Sequence, residues 1–368
     1  MAQTFKIKAA IKPYSLDFTF DAGTSRGVLT EKQTHFIQVQ SPVFPDIYGI
    51  GEAGPLKGLS PDDLPDFLDR ANEVLNKLEK ISFSKDPTTI LTMLSEVGLD
   101  EYPSLRFGLE TALLDLVNGG TRKILPNSFY EHGSAIPING LIWMGEKRFM
   151  KAQIDQKLQE GFECIKMKIG AIDFEMELAL LESIRKKYSK EVISLRVDAN
   201  GAFDPNEAMV RMERLAKLEI HSIEQPIHPG NRHAMAQLCR TSPIPIALDE
   251  ELIGINDFRQ KKALLEDLKP AYLILKPTLV GGILATQEWI RLAEDMGIGW
   301  WMTSALESNI GLNAIAQLTS SLNPILPQGL GTGMLYRNNV SSPLVISSGK
   351  LRYDKDRFWS IPDWNLDD

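Results

Sequence analysis

The pattern of apolar and polar positions divides the chain into two parts with different periodicities. In the first part, residues 5–20 and 35–48 alternate apolar and polar side chains, as β-strands with one buried face do. Three later segments repeat apolar positions at helical spacing: residues 64–81, 87–97 and 103–116. Strands followed by helices predict an α+β domain, which we place at residues 1–130.

From about residue 136 the pattern changes to short apolar runs that alternate with amphipathic helices. The eight runs are residues 136–143, 164–169, 193–197, 222–227, 244–248, 271–275, 299–302 and 325–328. Helical spacing is seen between them at residues 146–160, 174–187, 205–218 and 284–296. Such alternation predicts an α/β fold of the TIM-barrel type, at residues 131–339, with a strand-like tail at 340–368 that returns to the first domain.

Composition excludes several classes of protein. The 368 residues carry a net charge of -8, which argues against a general nucleic-acid binder. No apolar run approaches the roughly 20 residues of a membrane span, and the first residues do not look like a signal peptide. Cys164 and Cys239 lie in no CxxC or Cys/His cluster, so neither a zinc site nor a disulfide framework is expected. We therefore expect a cytoplasmic protein that binds neither nucleic acid nor membrane.

Two lysines at the end of one predicted strand suggest chemistry. Lys166 and Lys168 are two residues apart, so in a strand both ammonium groups point to the same side. Burial beside another cation lowers the pKa of a lysine and makes it a usable base near neutral pH. The alternative is an edge strand with a solvated Lys-x-Lys face, and this segment alone leaves both interpretations open.

Charged residues also end the following strands. Lys168, Asp198, Glu224, Asp249 and Lys276 follow one another at intervals of 25 to 30 residues, which is one βα unit each. A single aspartate there would be explained as a helix N-cap. Three carboxylates on neighbouring strands would repel each other unless a cation lay among them, and oxygen ligands favour Mg²⁺. A lysine could then remove the acidified proton beside a metal-bound carboxylate.

With these residues in place, the chain resembles the enolase superfamily in its muconate-lactonising-enzyme subgroup. The resemblance implies a modified (β/α)₇β barrel with an N-terminal α+β capping domain. It also implies that Asp198, Glu224 and Asp249 bind Mg²⁺, or Mn²⁺ as a substitute. Lys168 would be the base and Lys166 would lower its pKa and touch the substrate carboxylate, whereas Lys276 would be a second base or a cation. Glu250 has no assigned role, although it is expected to hydrogen-bond a neighbouring side chain.

Three segments bear on the choice within the subgroup. Residues 303–311 and 103–110 look like the corresponding segments of o-succinylbenzoate synthases. Dipeptide epimerases usually carry an Asp-x-Asp near strand eight, whereas residues 328–333 contain no carboxylate. The glycine-rich backbone there could donate N–H groups to an anionic succinyl carboxylate, or could simply need positive φ angles. The expected substrate contacts are Ser304, Glu307, Gly329 and Trp143.

The resemblance therefore implies a synthase of menaquinone biosynthesis that acts on a small carboxylate substrate. The reaction would be the syn dehydration of 2-succinyl-6-hydroxy-2,4-cyclohexadiene-1-carboxylate to 2-succinylbenzoate. The alternatives are an N-acylamino-acid racemase or a dipeptide epimerase with the same residues, and a catalytically silent barrel. Residues 21–33 and 51–60 are predicted to be loops that close over the barrel mouth. A homo-oligomer is left open.

Overall fold

The computed structural model describes residues 4–24 and 27–361. Its N-terminal part is an antiparallel three-stranded sheet with helices packed on one face, as the α+β prediction requires. The elements are β1 (Thr4–Phe5), β2 (Lys8–Thr24), β3 (Gly27–Ser41), β4 (Phe44–Ala53), α1 (Phe67–Leu78), β5 (Phe83–Ser84), α2 (Pro87–Ser95), α3 (Pro103–Val117) and α4 (Ser128–His132).

The predicted loop at residues 21–33 is wrong. Strand β2 continues to Thr24 and β3 begins at Gly27, and the two pair as a long hairpin with Ala22 opposite Leu29. Backbone pairing across the hairpin maintains the strands even where side chains are polar and the face is exposed. Residues 25 and 26, between the arms, lie outside the described residues.

Helix α3 lies between the sheet and the barrel. Every residue from Pro103 to Leu116 is buried, because strand β4 covers one side of the helix and the barrel helices cover the other. A Cβ added to Gly51 would lie 1.9 Å from the carbonyl oxygen of Gly108, so glycine allows the sheet and α3 to approach this closely. Helix α3 therefore packs the two parts of the chain together.

The second part alternates parallel strands and helices, as predicted. Its elements are β6 (Ile136–Pro137), β7 (Gly140–Ile142), α5 (Lys147–Gln159), β8 (Cys164–Lys168), α6 (Phe174–Arg185), β9 (Ser194–Asp198), α7 (Pro205–Ala216), β10 (Ser222–Glu224), α8 (Arg232–Thr241), β11 (Ile246–Leu248), α9 (Phe258–Leu268), β12 (Tyr272–Leu275), α10 (Pro277–Val280), α11 (Gly282–Asp295), β13 (Gly299–Met302), α12 (Asn309–Ser321), β14 (Leu344–Ser347) and β15 (Lys350–Tyr353). Short 3₁₀ helices occur at Glu250–Leu252 and Thr332–Met334.

Seven of these strands form one parallel sheet in the order β7 to β13, each hydrogen-bonded to its sequence neighbours. The two edges meet at Gln328 and Gly329, where the eighth strand was predicted. Gln328 N–H donates to the Pro137 carbonyl at 2.8 Å, and Gly329 N–H donates to the Met302 carbonyl at 2.7 Å. This pair of residues closes the curled sheet, so the predicted barrel class with its N-terminal domain is confirmed.

The C-terminal tail contacts both parts. Strand β15 pairs antiparallel with β6, with Leu351 opposite Ile136. Further along, Trp359 packs against a cluster that contains Phe36 and Ile50 of the N-terminal sheet. The domain division at residues 130 and 339 stays a prediction. None of the helices within residues 4–24 and 27–361 is long and apolar enough to span a membrane.

Candidate active site

Strand β8 brings Lys166 and Lys168 to the same side of the sheet, and all five of its residues are buried. The register of the parallel sheet places Asp198 beside Lys168 and Glu224 beside Asp198. Asp249 directly follows β11, the next strand. The charged residues are therefore brought together by strand register, at the C-terminal ends where barrel enzymes place their catalytic groups.

Lysine ammonium groups and carboxylates alternate in this cluster. Lys166 Nζ lies 2.8 Å from Glu224 Oε2 and 3.0 Å from Asp198 Oδ2, while Lys168 Nζ lies 3.2 Å from the same Asp198 oxygen. Lys276, which follows β12, forms a short ion pair with Asp249. The six predicted charges thus form one buried group in which each carboxylate contacts a lysine.

A cavity of about 780 Å³ opens above this group. Lys166, Lys168, Lys276 and Asp198 line it, whereas Glu224 and Asp249 do not and lie behind the lysines that bind them. The three ammonium groups are therefore the side of the cluster that a ligand would meet first.

The two lysines of β8 have opposite acid–base tendencies. Burial lowers the pKa of Lys168, and the charge of Lys166 lowers it further against the opposing attraction of Asp198. Burial also disfavours the charged form of Lys166, but the attraction of Asp198 and Glu224 outweighs burial and raises the pKa of Lys166. Lys166 consequently stays an ammonium, while Lys168 is the easier of the two to deprotonate.

Asn200 is a site residue that the sequence analysis missed. Its Oδ1 accepts a hydrogen bond from Lys168 Nζ at 2.7 Å, and its Nδ2 donates to Glu250 Oε1 at 3.1 Å. The expected hydrogen bond of Glu250 to a neighbouring side chain is therefore confirmed. Asn200 adopts a φ of 44°, a conformation that asparagine tolerates better than most residues. The Asn-Gly pair at residues 200–201, shortly after Asp198, was the feature of the sequence that could have indicated Asn200.

Trp143 and Ser304 both line the cavity, as expected for substrate contacts. The Trp143 ring centroid lies 5.9 Å from Lys168 Nζ, and its edge packs against Phe18 and Phe20 of the hairpin. Ser304 Oγ donates to Glu307 Oε2 at 2.5 Å. Trp143 follows β7 and Ser304 follows β13, the two edge strands that meet at Gln328 and Gly329, so both side chains lie on the cavity wall near the point where the barrel closes.

The structure corrects the expected position of Glu307. The side chain is fully buried and does not line the cavity. Its carboxylate accepts hydrogen bonds from the hydroxyls of Thr278 and Ser304 and from the Ala305 N–H. Glu307 therefore holds the cavity wall from behind and is not placed to touch a substrate.

Gly329 lines the cavity, but its backbone is already engaged. Its N–H donates to Met302 and its carbonyl accepts from Ser304, so this amide has no free donor for an anion. Gly329 does not adopt a positive φ, so the alternative prediction, that glycine is needed here for a positive φ angle, is also wrong. A Cβ there would lie 2.1 Å from Thr303 Oγ1, and glycine is needed because the barrel closes tightly at this point.

The three carboxylates of the cluster are candidate ligands for a metal ion. Among the residues that the structure describes, no three His, Cys, Asp or Glu side chains stand close enough to hold a metal ion together. A lysine ammonium group instead contacts at least one oxygen of each of Asp198, Glu224 and Asp249. The donor set itself fits Mg²⁺, because all three ligands are buried carboxylates on consecutive strands. A curled parallel sheet with catalytic-type charges at the C-terminal ends of its strands is the architecture of a barrel enzyme.

Comparison with known proteins identifies the kind of barrel enzyme. The family model described as enolase C-terminal domain-like matches residues 150–356. The chain is 45% identical over 361 residues to the o-succinylbenzoate synthase of Desulfotalea psychrophila, covering 91% of this chain and 96% of that relative. The chain belongs to the enolase superfamily.

Solved structures agree with this assignment. The crystal structure of MenC from Desulfotalea psychrophila LSv54 superimposes with a TM-score of 0.83 at 40% identity, covering 95% of this chain and all (100%) of that one. The L-Ala-D/L-Glu epimerase of Bacillus subtilis has a TM-score of 0.81 at 20% identity, with 95% and 96% of the two chains covered. At that identity the epimerase shares the fold, and the fold does not distinguish elimination from epimerisation.

Proposed function

We propose that the protein is an o-succinylbenzoate synthase of menaquinone biosynthesis, with 2-succinyl-6-hydroxy-2,4-cyclohexadiene-1-carboxylate as its substrate. The observation that carries the proposal is the 45% identity over 91% of the chain to a synthase of that name. The cavity agrees with it, because Lys166, Lys168 and Lys276 present cations to an anionic ligand.

The ring carboxylate of the substrate binds beside Lys166, which stays charged. Lys168 in its neutral form takes the proton from C1, and the released electron pair moves onto the ring carboxylate. Return of that pair to the ring expels the hydroxyl group from C6, and the Lys168 ammonium gives its proton to that group as it leaves. The products are 2-succinylbenzoate and water, and the ring becomes aromatic. Asn200 orients Lys168 through the 2.7 Å hydrogen bond to its Nζ.

Asp198, Glu224 and Asp249 would hold Mg²⁺, with Mn²⁺ as a substitute. When bound, the ion supplies positive charge that stabilises the negative charge developing on the ring carboxylate. The lysines that now contact these carboxylates, Lys166 and Lys276, would turn from them toward the substrate. Both side chains already line the cavity.

A second candidate, an N-acylamino-acid racemase or a dipeptide epimerase, is favoured by one observation. Lys168 and Lys276 come from strands that are four apart in the ring and line one cavity, as two bases on opposite faces would. Solvent exchange of a substrate α-proton on both faces would support this candidate. Exchange on one face, together with aromatisation, supports the synthase.

The deciding experiment measures dehydration of the cyclohexadiene substrate by the absorbance of the aromatic product. We expect Lys168→Ala to lower kcat by about 10²- to 10⁴-fold, because it removes the general base. Lys276→Arg keeps a charge but not an easily lost proton, and is expected to retain most of the turnover if Lys276 acts through its charge. Appreciable turnover by Lys168→Ala would exclude the proposed mechanism. Absence of dehydration by the unsubstituted enzyme would exclude the proposed function.

A further inference from the structure

The substrate proposed above has two carboxylates, and the site so far accounts for one of them. Lys166, on β8, meets the ring carboxylate. The succinyl carboxylate lies at the far end of a flexible chain and needs a partner elsewhere in the cavity. Gly329, one residue of the glycine-rich backbone that was expected to supply donors, has its N–H bound to the Met302 carbonyl.

The charge along the cavity wall indicates where that partner lies. Asp198 is the one carboxylate that lines the cavity among the residues described, and it lies at the inner end with the lysines. Two further lysines reach the wall, Lys57 from the N-terminal domain and Lys157 from α5. Away from the inner cluster the wall therefore carries positive side chains and no negative one within the described parts of the chain.

The two outer lysines differ in their partners. Lys157 Nζ lies 2.7 Å from Glu160 Oε2, so its charge is balanced within its own helix turn. For Lys57, no ion pair or side-chain hydrogen bond occurs with any residue in the described ranges. An exposed ammonium at a cavity wall without a counterion is free to take one from a ligand.

The backbone that carries Lys57 is held in place. Leu56 N–H donates to Ser60 Oγ at 2.7 Å, and Gly58 N–H donates to Asp63 Oδ2 at 2.7 Å. Gly58 has a φ of +71°, which glycine adopts without strain, and this allows the turn to be tight. The turn therefore presents Lys57 at a fixed place, and only its side chain needs to be ordered when a ligand binds.

We infer that Lys57 recognises the succinyl carboxylate of the substrate and makes the site selective for dicarboxylates. This inference rests on the proposed function and specifies the part of the substrate that Lys57 binds. It also supplies a reason against cationic substrates, since a dipeptide ammonium group in the outer cavity would meet Lys57 and no carboxylate.

The test compares two ligands that differ only in that carboxylate. The Mg²⁺-loaded enzyme is titrated calorimetrically with 2-succinylbenzoate, the reaction product, and with 2-butyrylbenzoate, in which a methyl group replaces the carboxylate. We expect the unsubstituted enzyme to prefer 2-succinylbenzoate. Lys57→Met should reduce that preference by about tenfold, and Lys57→Arg should restore most of it, because one charge-assisted hydrogen bond is lost and regained. In turnover, Lys57→Met should raise KM much more than it lowers kcat.

Lys157→Met is the matched control, since it removes a cation from the same wall that is already paired. Its preference between the two ligands should equal that of the unsubstituted enzyme. If Lys57→Met weakens both ligands equally, or leaves their ratio unchanged while the enzyme still dehydrates the cyclohexadiene, the role of Lys57 is refuted and the proposed function stands. If the unsubstituted enzyme neither turns over the cyclohexadiene nor binds 2-succinylbenzoate, the proposed function fails and this inference fails with it.

Discussion

Two clusters of buried charge in the described part of the chain differ in their surroundings, since one borders the cavity and the other does not. The active-site cluster consists of three lysines and three carboxylates at the ends of the barrel strands: Lys166, Lys168, Lys276, Asp198, Glu224 and Asp249. The interface cluster lies where the N-terminal sheet meets the loop after β13, and consists of Lys32, Glu52, Asp62 and Glu307. All ten side chains are buried.

The carboxylates of the two clusters are satisfied in different ways. Glu52 accepts hydrogen bonds from the backbone N–H groups of Ser308 and Gly311 and from two hydroxyls, one of them that of Thr34. It thereby caps the N-terminus of α12, where a negative charge is favoured. In the active site the carboxylates contact lysine ammonium groups that line the cavity. Backbone donors fix a carboxylate in place, whereas side-chain cations can exchange for a metal ion or a substrate.

This difference explains why Glu307 was misplaced by the sequence analysis. Buried acidic residues near the ends of barrel strands look alike in sequence, and what distinguishes them is the kind of donor that each receives. Burial of charge is thus a weak guide to catalysis unless the charged group also borders a cavity.

The largest expected contrast comes from removing one lysine from each cluster. Lys32→Met should lower the free energy of unfolding by about 3 kcal/mol, because it removes the hydrogen bond to the buried Gly54 carbonyl and the positive charge that attracts Glu52 and Glu307. Lys168→Met should change that free energy by about 1 kcal/mol or less, since Lys166 still neutralises Asp198. Urea unfolding measures both. Equal losses of stability would mean that the two clusters do not differ as described.

The second contrast concerns cation exchange. Mg²⁺ at about 100 times its Kd should raise the free energy of unfolding by about 2–3 kcal/mol, because it binds only the folded protein. Asp198→Asn should abolish this increase, while Glu52→Gln, in the interface cluster, should keep it at a lower starting stability. Thermal unfolding with Mg²⁺ and with EDTA gives the comparison. A full Mg²⁺ effect in Asp198→Asn would place the ion elsewhere.

The smallest expected effect concerns a buried carboxylate outside both clusters. Glu110 on α3 accepts a hydrogen bond from the Ile283 N–H of α11, and burial raises the pKa of Glu110 to about 8. The folded protein therefore holds this proton more tightly than the unfolded chain, so its stability falls as pH rises from about 4.5 to about 8. Glu110→Gln should remove the part of this pH-dependent loss of stability that Glu110 causes, which is about 1–2 kcal/mol in the free energy of unfolding.

Unfolding by urea at pH 5.5 and pH 8.5 provides the measurement. The variant should gain stability relative to the unsubstituted protein at the higher pH. An identical pH dependence in the two proteins would show that Glu110 does not hold its proton in the folded protein.

Much of the active site was predictable because parallel strands repeat a simple geometry. Lys166 and Lys168 share a face since side chains alternate along a strand, and Asp198, Glu224 and Asp249 follow at βα-unit intervals. The eighth strand was located from an apolar run, although only Gln328 and Gly329 make the closing bonds. Helices α8, α9 and α12 were not predicted. Periodicity was least informative for α12, which is buried on nearly all sides.

The sequence alone determined the fold class and the six charged residues, because these depend on local period and on spacing along the chain, and its resemblance to a known subgroup indicated the family. Only the tertiary structure decided which charges border the cavity. It placed Glu307 behind the wall, added Asn200 beside Lys168, and brought Lys57 from a different domain to the same space. These positions depend on how the N-terminal sheet packs on the barrel through α3. Contacts between residues far apart along the chain produce no periodic pattern in the sequence, so they could not be predicted from it.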